Sequence, residues 1–418
     1  MVYFMDTTTL FTAALGLAEP WYVTLTDFKD APDGSKELHI YIDFKKGAHF
    51  ECPMEGCPHS GTAYDTIEHT WRHLNFFQYK TYIHAWQPRF NCPDHKAHLV
   101  PVPWAREGSG FTLLFEAMCL ELAKTQPMAQ VAKQVDEYDT RLWRFVKHYV
   151  AEARKLEEYS EVQAVGMDET SKKGHNYITV MVDLEGRKVI YVTEGKDHTT
   201  IDRFVSDFTE HGGVADNVNV ITCDMSLGFR KGILENFPNA TTVIDKFHVI
   251  KHANEAVDEV RKEEVKTNPL LKQTKYIWLK NEENLTDAQL AKKQVLSKKR
   301  LKTGRAYQMR ITLQDIYEYC KTKEEAEPLL KKLVSWMKRS RLEPMKSLAD
   351  LIRNHWDEIL NYFDNRYTNA ILEGMKSIIQ NIKCRAHGFR NDEYFKTMIY
   401  LVCGKLDIDA VIVGTMQA

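Results

Sequence analysis

The sequence predicts a multidomain protein of mixed α+β and α/β character. A mixed sheet flanked by helices carries a helical insertion, and a cysteine- and histidine-rich segment and a group of helices precede it. Three observations predict this. Seven of the sixteen histidines and three of the eight cysteines fall between positions 49 and 98. Between 111 and 157 the apolar residues recur at helical spacing, and from 161 the pattern changes to strands. Beyond about 262 the chain is helical and basic. A length of 418 residues suits about three domains.

In residues 1–49, WYVTLTDF and ELHIYIDF alternate apolar and polar residues on either side of APDGSK, the signature of a β-hairpin. Residues 50–105 hold Cys52-Pro-Met-Glu-Gly-Cys57 and, 35 residues after Cys57, Cys92-Pro-Asp-His95. Two short knuckles separated by a loop supply the four tetrahedral ligands of a structural zinc ion, and a site closed by four protein ligands leaves no open position for catalysis. The expected set is Cys52, Cys57, Cys92 and His95, with His59 or His98 as possible substitutes. Trp71, Arg72, His73 and Trp86 lie between the knuckles, where they can pack against the finger or touch a DNA backbone.

Residues 110–157 read as a short helix, a polar turn DEYDT and a second helix carrying Arg141, Arg144 and Lys147. This is the spacing of a helix-turn-helix, although a plain three-helix bundle gives a similar pattern.

Next come the strands VQAVGMDE, NYITVMVD and RKVIYVTEG, and then helices alternate with VNVITCDM and ATTVID. A three-strand meander followed by alternating helices and strands is the element order of an RNase H-like fold. Residues 160–262 and 350–418 are assigned to this core and 263–349 to the insertion. Charge divides the same way. Residues 161–250 carry 9 Lys/Arg against 14 Asp/Glu, a net of -5, whereas 251–350 carry 23 against 15, a net of +8.

The whole-chain net charge of -2 excludes a polycation that coats nucleic acid by charge alone. With 44% hydrophobic and 27% charged residues, the composition is that of a globular protein. There is no apolar run of transmembrane length and no basic leader, so the expectation is a cytoplasmic protein without a membrane partner. Eight cysteines in so long a chain suit thiols or metal ligands better than a disulfide framework.

Asp168 closes the strand VQAVGMD and Asp224 closes VNVITCD, so both emerge at strand ends of one sheet. Glu373 lies in NRYTNAILEGMKSIIQNIK, where Ile371, Met375, Ile378, Ile379 and Ile382 recur at helical spacing. Three converging carboxylates repel one another without cations, and their hard oxygens suit magnesium or manganese. Two such ions, about 3.5 to 4 Å apart, activate the nucleophile and stabilise the leaving oxygen of a phosphodiester displacement. Glu169, Asp183, Asp245 and His248 are further candidates. Asp183 is weaker because it falls at the far end of an antiparallel strand; Asp245 and His248 are either accessory residues or a helix cap.

The stretches VGMDETSKKGHNYITVMVDLEGRKVIYV, VITCDMSLGFRKGILENFPNATTVIDKFHVIKHANEAVDEVRK and YTNAILEGMKSIIQNIKCRAHGFRNDEYFKTMIYL resemble bacterial insertion-sequence transposases of the ISL-three family. The upstream CP...C, WRHL, C-P-x-H and VPWA pattern extends the resemblance over nearly the whole chain. It implies an RNase H-like transposase with an Asp-Asp-Glu triad on Asp168, Asp224 and Glu373, matched through VGMDE, TCDMS and TNAILEG. The four-residue gap between Cys52 and Cys57 is longer than the family's usual one. The expected partners are double-stranded DNA, as transposon ends and target, and a second copy of the chain on that DNA, since cutting two ends needs two active sites. Other enzymes of the same core, such as structure-selective nucleases or resolvases, are an alternative, as is a DNA-binding repressor with an inert core.

Overall fold

The computed structural model describes residues 6–173, 176–195, 197–365, 368–389 and 391–417. The chain divides into two compact units: Met1–Glu157 with Cys384–Val402 and Leu406–Ala418, and Glu158–Lys383 with Cys403–Lys405.

The first unit opens with α1 (Thr7–Ala14), capped by the Asp6 carboxylate, which accepts from the Thr9 N–H at 2.7 Å. The expected hairpin follows as β1 (Trp21–Asp30) and β2 (Lys36–Phe44), turning through Gly34 at φ 84°. It does not stand alone. The short β3 (His49–Glu51) and β4 (Ser60–Thr62) pair with each other, and β5 (Asp65–Phe76) and β6 (Tyr79–Cys92) form a second hairpin. Because β2 runs parallel to β6, both hairpins join one sheet ordered β1-β2-β6-β5, with β7 (Lys96–Leu99) on β6. Alternation along β2 and β6 buries Leu38, Ile40, Ile42, Ile83 and Ala85 on one face, where Trp21, Trp71 and Trp104 pack edge to face.

Three helices complete this unit's N-terminal part: α2 (Leu113–Thr125), α3 (Met128–Val135) and α4 (Asp139–Lys155). Asp136 adopts a left-handed conformation at φ 53° and ends α3, making the sharp turn into α4. Glu116 of α2 is fully buried. Its carboxylate accepts from Tyr149 Oη at 2.8 Å, Ser109 Oγ at 2.7 Å and Arg106 Nε at 3.1 Å, which fixes the loop ahead of the helices to α4.

The second unit is built on the sheet β10-β9-β8-β11-β12, with strands β8 (Ala164–Lys173), β9 (Asn176–Asp183), β10 (Lys188–Glu194), β11 (Val220–Cys223) and β12 (Thr241–Ile244). The first three are antiparallel, and β11 and β12 run parallel to β8, as in an RNase H-like fold. Crossover helices α5 (His198–Glu210) and α6 (Leu227–Asn236) pack through Ile201, Phe204, Phe208, Phe229 and Ile233. After β12 comes α7 (Lys246–Val265), then α8 (Lys275–Leu279), α9 (Asp287–Ser297), α10 (Lys302–Tyr319), α11 (Lys323–Arg339), α12 (Glu343–Asn354) and α13 (Trp356–Leu360). The insertion shares one apolar core with the edge of the sheet: Trp278, Leu313, Met337 and Met345 join Val243 and Ile244 of β12.

The last helices are α14 (Thr368–Arg385), α15 (Asp392–Cys403) and α16 (Ile408–Gln417). The stretch expected in the core is divided, with residues after 383 falling mostly in the first unit. Tyr394 stacks on Trp143 of α4 at 4.1 Å with the rings 1° apart, and Arg154 lies over the Tyr400 ring at 4.4 Å.

Candidate active site and zinc centre

The parallel register aligns the acids. Gly166 of β8 pairs with Thr222 of β11, so Asp168 and Asp224, each two residues further on, stand at one level, at the edge of the parallel part of the sheet; β8 itself runs on to Lys173, so Asp168 lies mid-strand rather than closing the strand as expected. Ile244 pairs with Cys223, which puts Asp245 beside Asp224 on the next strand. Asp183 pairs with Val165 at the opposite end, where its carboxylate accepts from the N–H groups of Glu185 and Gly186, both at 3.0 Å. It caps a turn and takes no part in the acidic edge.

Glu373 reaches this edge on α14, which docks on β8 through Leu372. A Cβ at Gly166 would lie 2.5 Å from Leu372 Cδ2, so only glycine admits the helix at this distance. Asp168 and Asp224 line a cleft of about 480 Å³ together with Glu169, Ser226, His248 and Lys376. Glu373 is exposed beside it and does not line it. Two contacts fix the acids locally: Asp168 Oδ1 accepts from the Glu169 N–H and Asp224 Oδ1 from the Ser226 N–H, both at 2.8 Å.

The Asp245 carboxylate is buried and caps α7, accepting from the Phe247 N–H at 2.9 Å. Burial raises its pKa, and the charges of Glu373 and Asp168 push it further in the same direction against the Phe247 hydrogen bond and His248. Lys376, one turn beyond Glu373, places its ammonium 2.8 Å from Asp168 Oδ2 and 3.0 Å from Oδ1. Sequence reasoning missed Lys376 and Gly166. The i, i+3 spacing of Lys376 from Glu373 was a signal for the first, but the approach of α14 to β8 has no local signature.

The zinc knuckles meet although one lies in the loop between β3 and β4 and the other at the turn between β6 and β7. One ligand atom from each of Cys52, Cys57, Cys92 and His95 falls within 4.8 Å of all the others. Cys57 Sγ is 3.7 Å from Cys92 Sγ, and His95 Nδ1 is 3.7 Å from Cys52 Sγ and 3.6 Å from Cys92 Sγ. A tetrahedron with a metal–sulfur distance of about 2.3 Å has edges of about 3.8 Å, so these residues fit zinc. Burial opposes ionisation of Cys92, but hydrogen bonds from the backbone N–H groups of Asp94 and His95, together with those from the His95 and Cys57 side chains, outweigh it and bring its pKa down to about 6. His59 pairs with Asp94 at 2.9 Å, and His98 bonds the His95 carbonyl, so neither displaces the expected set. The longer first knuckle is accommodated by a turn with Gly56 at φ 74°.

Of the residues expected to touch DNA, Arg72 is a correction. It is 2% exposed, donates to the carbonyls of His73 and Thr81 and to Asn75, and lies against the rings of Tyr82 and Phe115. A guanidinium enclosed in this way packs the sheet against α2 and cannot reach a phosphate. Trp71 is buried as well, and His73 bonds Thr112 Oγ1 at 2.9 Å, whereas Trp86 is 53% exposed. On α4, Arg144 is exposed, Arg141 pairs with Glu137 at 2.6 Å and Lys147 with Glu393 at 2.5 Å. Among the described residues, no helix is long and apolar enough to cross a membrane.

Comparison with known proteins agrees in all three regions. Residues 165–399 match a family model described as a transposase, residues 100–150 the helix-turn-helix domain of transposase family ISL3, and residues 51–95 a zinc finger of transposases IS204, IS1001, IS1096 and IS1165. The transposase for insertion sequence element IS1557 of Mycobacterium tuberculosis is 26% identical, covering 92% of this chain and 93% of the relative. The transposase for IS1001 of Bordetella parapertussis is 24% identical, covering 78% and 82%. Among solved structures, the Drosophila P element transposase strand transfer complex matches with a TM-score of 0.39 at 11% identity, covering 71% of this chain and 93% of that one.

Proposed function

The chain belongs to the ISL3 family of transposases, and from that premise we propose that Asp168, Asp224 and Glu373 carry out metal-dependent cleavage and strand transfer at transposon ends. The protein is a transposase, a DNA-cutting and DNA-transferring enzyme that binds DNA through a helix-turn-helix and carries a structural zinc ion.

The observation that supports the reading is the in-register placement of Asp168, within β8, and Asp224, just past the end of β11, on neighbouring parallel strands. Carboxylate oxygens gathered at one sheet edge suit hard cations, which fits magnesium or manganese. Asp168, Asp224 and Glu373 would hold such ions, which would supply activation of a water or 3′-hydroxyl and stabilisation of the departing oxygen. Asp168 and Asp224 hold the cleft side of the site from rigid strands, and Glu373 comes from the helix anchored on Gly166. Lys251 and Lys376 give the cleft a cationic rim, with His248 as a further polar group, that orients the scissile phosphate. The zinc set Cys52, Cys57, Cys92 and His95 holds the finger, which reads terminal repeats together with α4. Basic side chains of α4 and of the insertion neutralise phosphates. Cleavage of two ends calls for a dimer or higher oligomer on DNA, acting in the cytoplasm.

The test is a reaction of purified protein, magnesium and DNA bearing the element's terminal inverted repeats. The expected products are a cleaved end with a free 3′-hydroxyl and that end joined to a second duplex. Nicking without joining would establish a structure-selective nuclease or resolvase instead, and binding without cleavage a repressor.

A further inference from the structure

We infer that Lys376 is a positioning residue that holds Asp168 before metal arrives and then turns to the DNA phosphate; this rests on the reading of Asp168 as a metal ligand. The Lys376 ammonium contacts both oxygens of one carboxylate, at 2.8 Å and 3.0 Å. It therefore occupies the space in front of Asp168 that an ion bound by the same two oxygens would need. A cation there also offsets the repulsion among Asp168, Asp224 and Glu373, which would otherwise drive the acids apart in the free protein.

The anchoring is asymmetric. The backbone of Lys376 is fixed because α14 docks through Leu372 onto Gly166. Its side chain is 41% exposed and reaches the cleft along a flexible four-carbon stem, whereas Asp168 is 17% exposed and tied to the Glu169 N–H. When Asp168 gives up the ammonium, the head of Lys376 remains in a cleft also lined by His248 and Lys251, where a phosphate provides the next anion. Lys376 thus sets a threshold for metal entry in the free protein and adds a phosphate contact once DNA is bound. A permanent structural ion pair would do neither.

The experiment titrates zinc-loaded, full-length protein with manganese and follows free Mn²⁺ by electron paramagnetic resonance, with and without terminal-repeat DNA. Lys376→Met removes the charge and keeps the stem. Without DNA it is expected to bind Mn²⁺ about fivefold more tightly than the wild type, the scale of a partly exposed ion pair. At saturating Mn²⁺ it is expected to cleave DNA more slowly, and Lys376→Arg to restore both properties. Unchanged or weaker Mn²⁺ binding by Lys376→Met would overturn the inference. If that variant does not fold, Lys376→Gln is read by the same criteria. Asp168→Asn separates the two claims: full Mn²⁺ binding by this variant would defeat the metal-ligand reading itself, whatever Lys376 does.

Discussion

Leu372 of α14 packs directly on Gly166 of β8, so closely that a single added carbon at position 166 would lie 2.5 Å from Leu372 Cδ2. The contact sets how far Glu373, the next residue, stands from Asp168. Gly166→Ala is therefore expected to cost about 1 to 3 kcal/mol, the range for overpacking a filled core. Cleavage should fall further than this stability loss accounts for, because the helix carrying Glu373 is pushed off the sheet. Thermal unfolding and a cleavage assay on the same preparation check this, and unchanged cleavage would show that the docking does not position the acid.

Asp224→Ala is expected to abolish strand cleavage and leave binding to terminal repeats nearly intact. Asp224 accepts from the Ser226 N–H and lies in the cleft, remote in sequence from the finger and α4. Gel-shift and cleavage assays separate the two effects. Persistent cleavage would remove Asp224 from the active set.

Asp245 is proposed to act chiefly as the cap of α7. Asparagine caps as well as aspartate, so Asp245→Asn should retain stability and cleave within a few-fold of the wild type, whereas Asp245→Ala should lose about 1 kcal/mol of stability. A collapse of cleavage in the asparagine variant, with stability intact, would instead make the charge of Asp245 part of the chemistry.

Elemental analysis should find about one zinc per chain, in keeping with a four-ligand structural site. Chelation or Cys92→Ser should release it and unfold the finger, because ligand binding and folding are coupled in such modules. Terminal-repeat binding should be lost at the same time. A preparation that folds and binds DNA without zinc would contradict the assignment.

Arg144 and Arg72 should respond differently. Arg144→Ala should weaken DNA binding and reduce the slope of log affinity against log salt by about 1, as expected for one phosphate contact. Arg72→Ala should cost about 3 kcal/mol of stability, since it empties a buried volume and strands the carbonyls it serves. Equal salt slopes for wild type and Arg144→Ala would remove Arg144 from the DNA surface.

Much of the second unit was legible because its signals are local. The alternation in VQAVGMDE, NYITVMVD and RKVIYVTEG gave three neighbouring strands, and the change to helices after them gave the crossover order. Asp224 could be placed at a strand end by counting along its strand, whereas Asp168 lies within β8, which pairing with β9 carries on to Lys173. Arg72 could not be placed in this way. It sits in a basic, aromatic run that reads as a surface, and only the packing of α2 against β5 and β6 encloses it. The hairpin of residues 21–44 was visible, yet its parallel partner β6 begins more than thirty residues later and leaves no trace in the hairpin itself.

By itself, the sequence determined the first hairpin, the order of elements from residue 161 to about 262, the two zinc knuckles and the division of charge between an acidic sheet segment and a basic helical one. These properties depend on neighbours two to four residues apart or on short runs, and the chain carries them wherever it goes. The tertiary structure decided which acids share an edge, that Lys376 faces Asp168, that glycine is required under Leu372, and that Arg72 is enclosed. Each of these depends on strand register or helix docking between distant segments, and it is packing and burial, rather than local pattern, that select among the possible pairings.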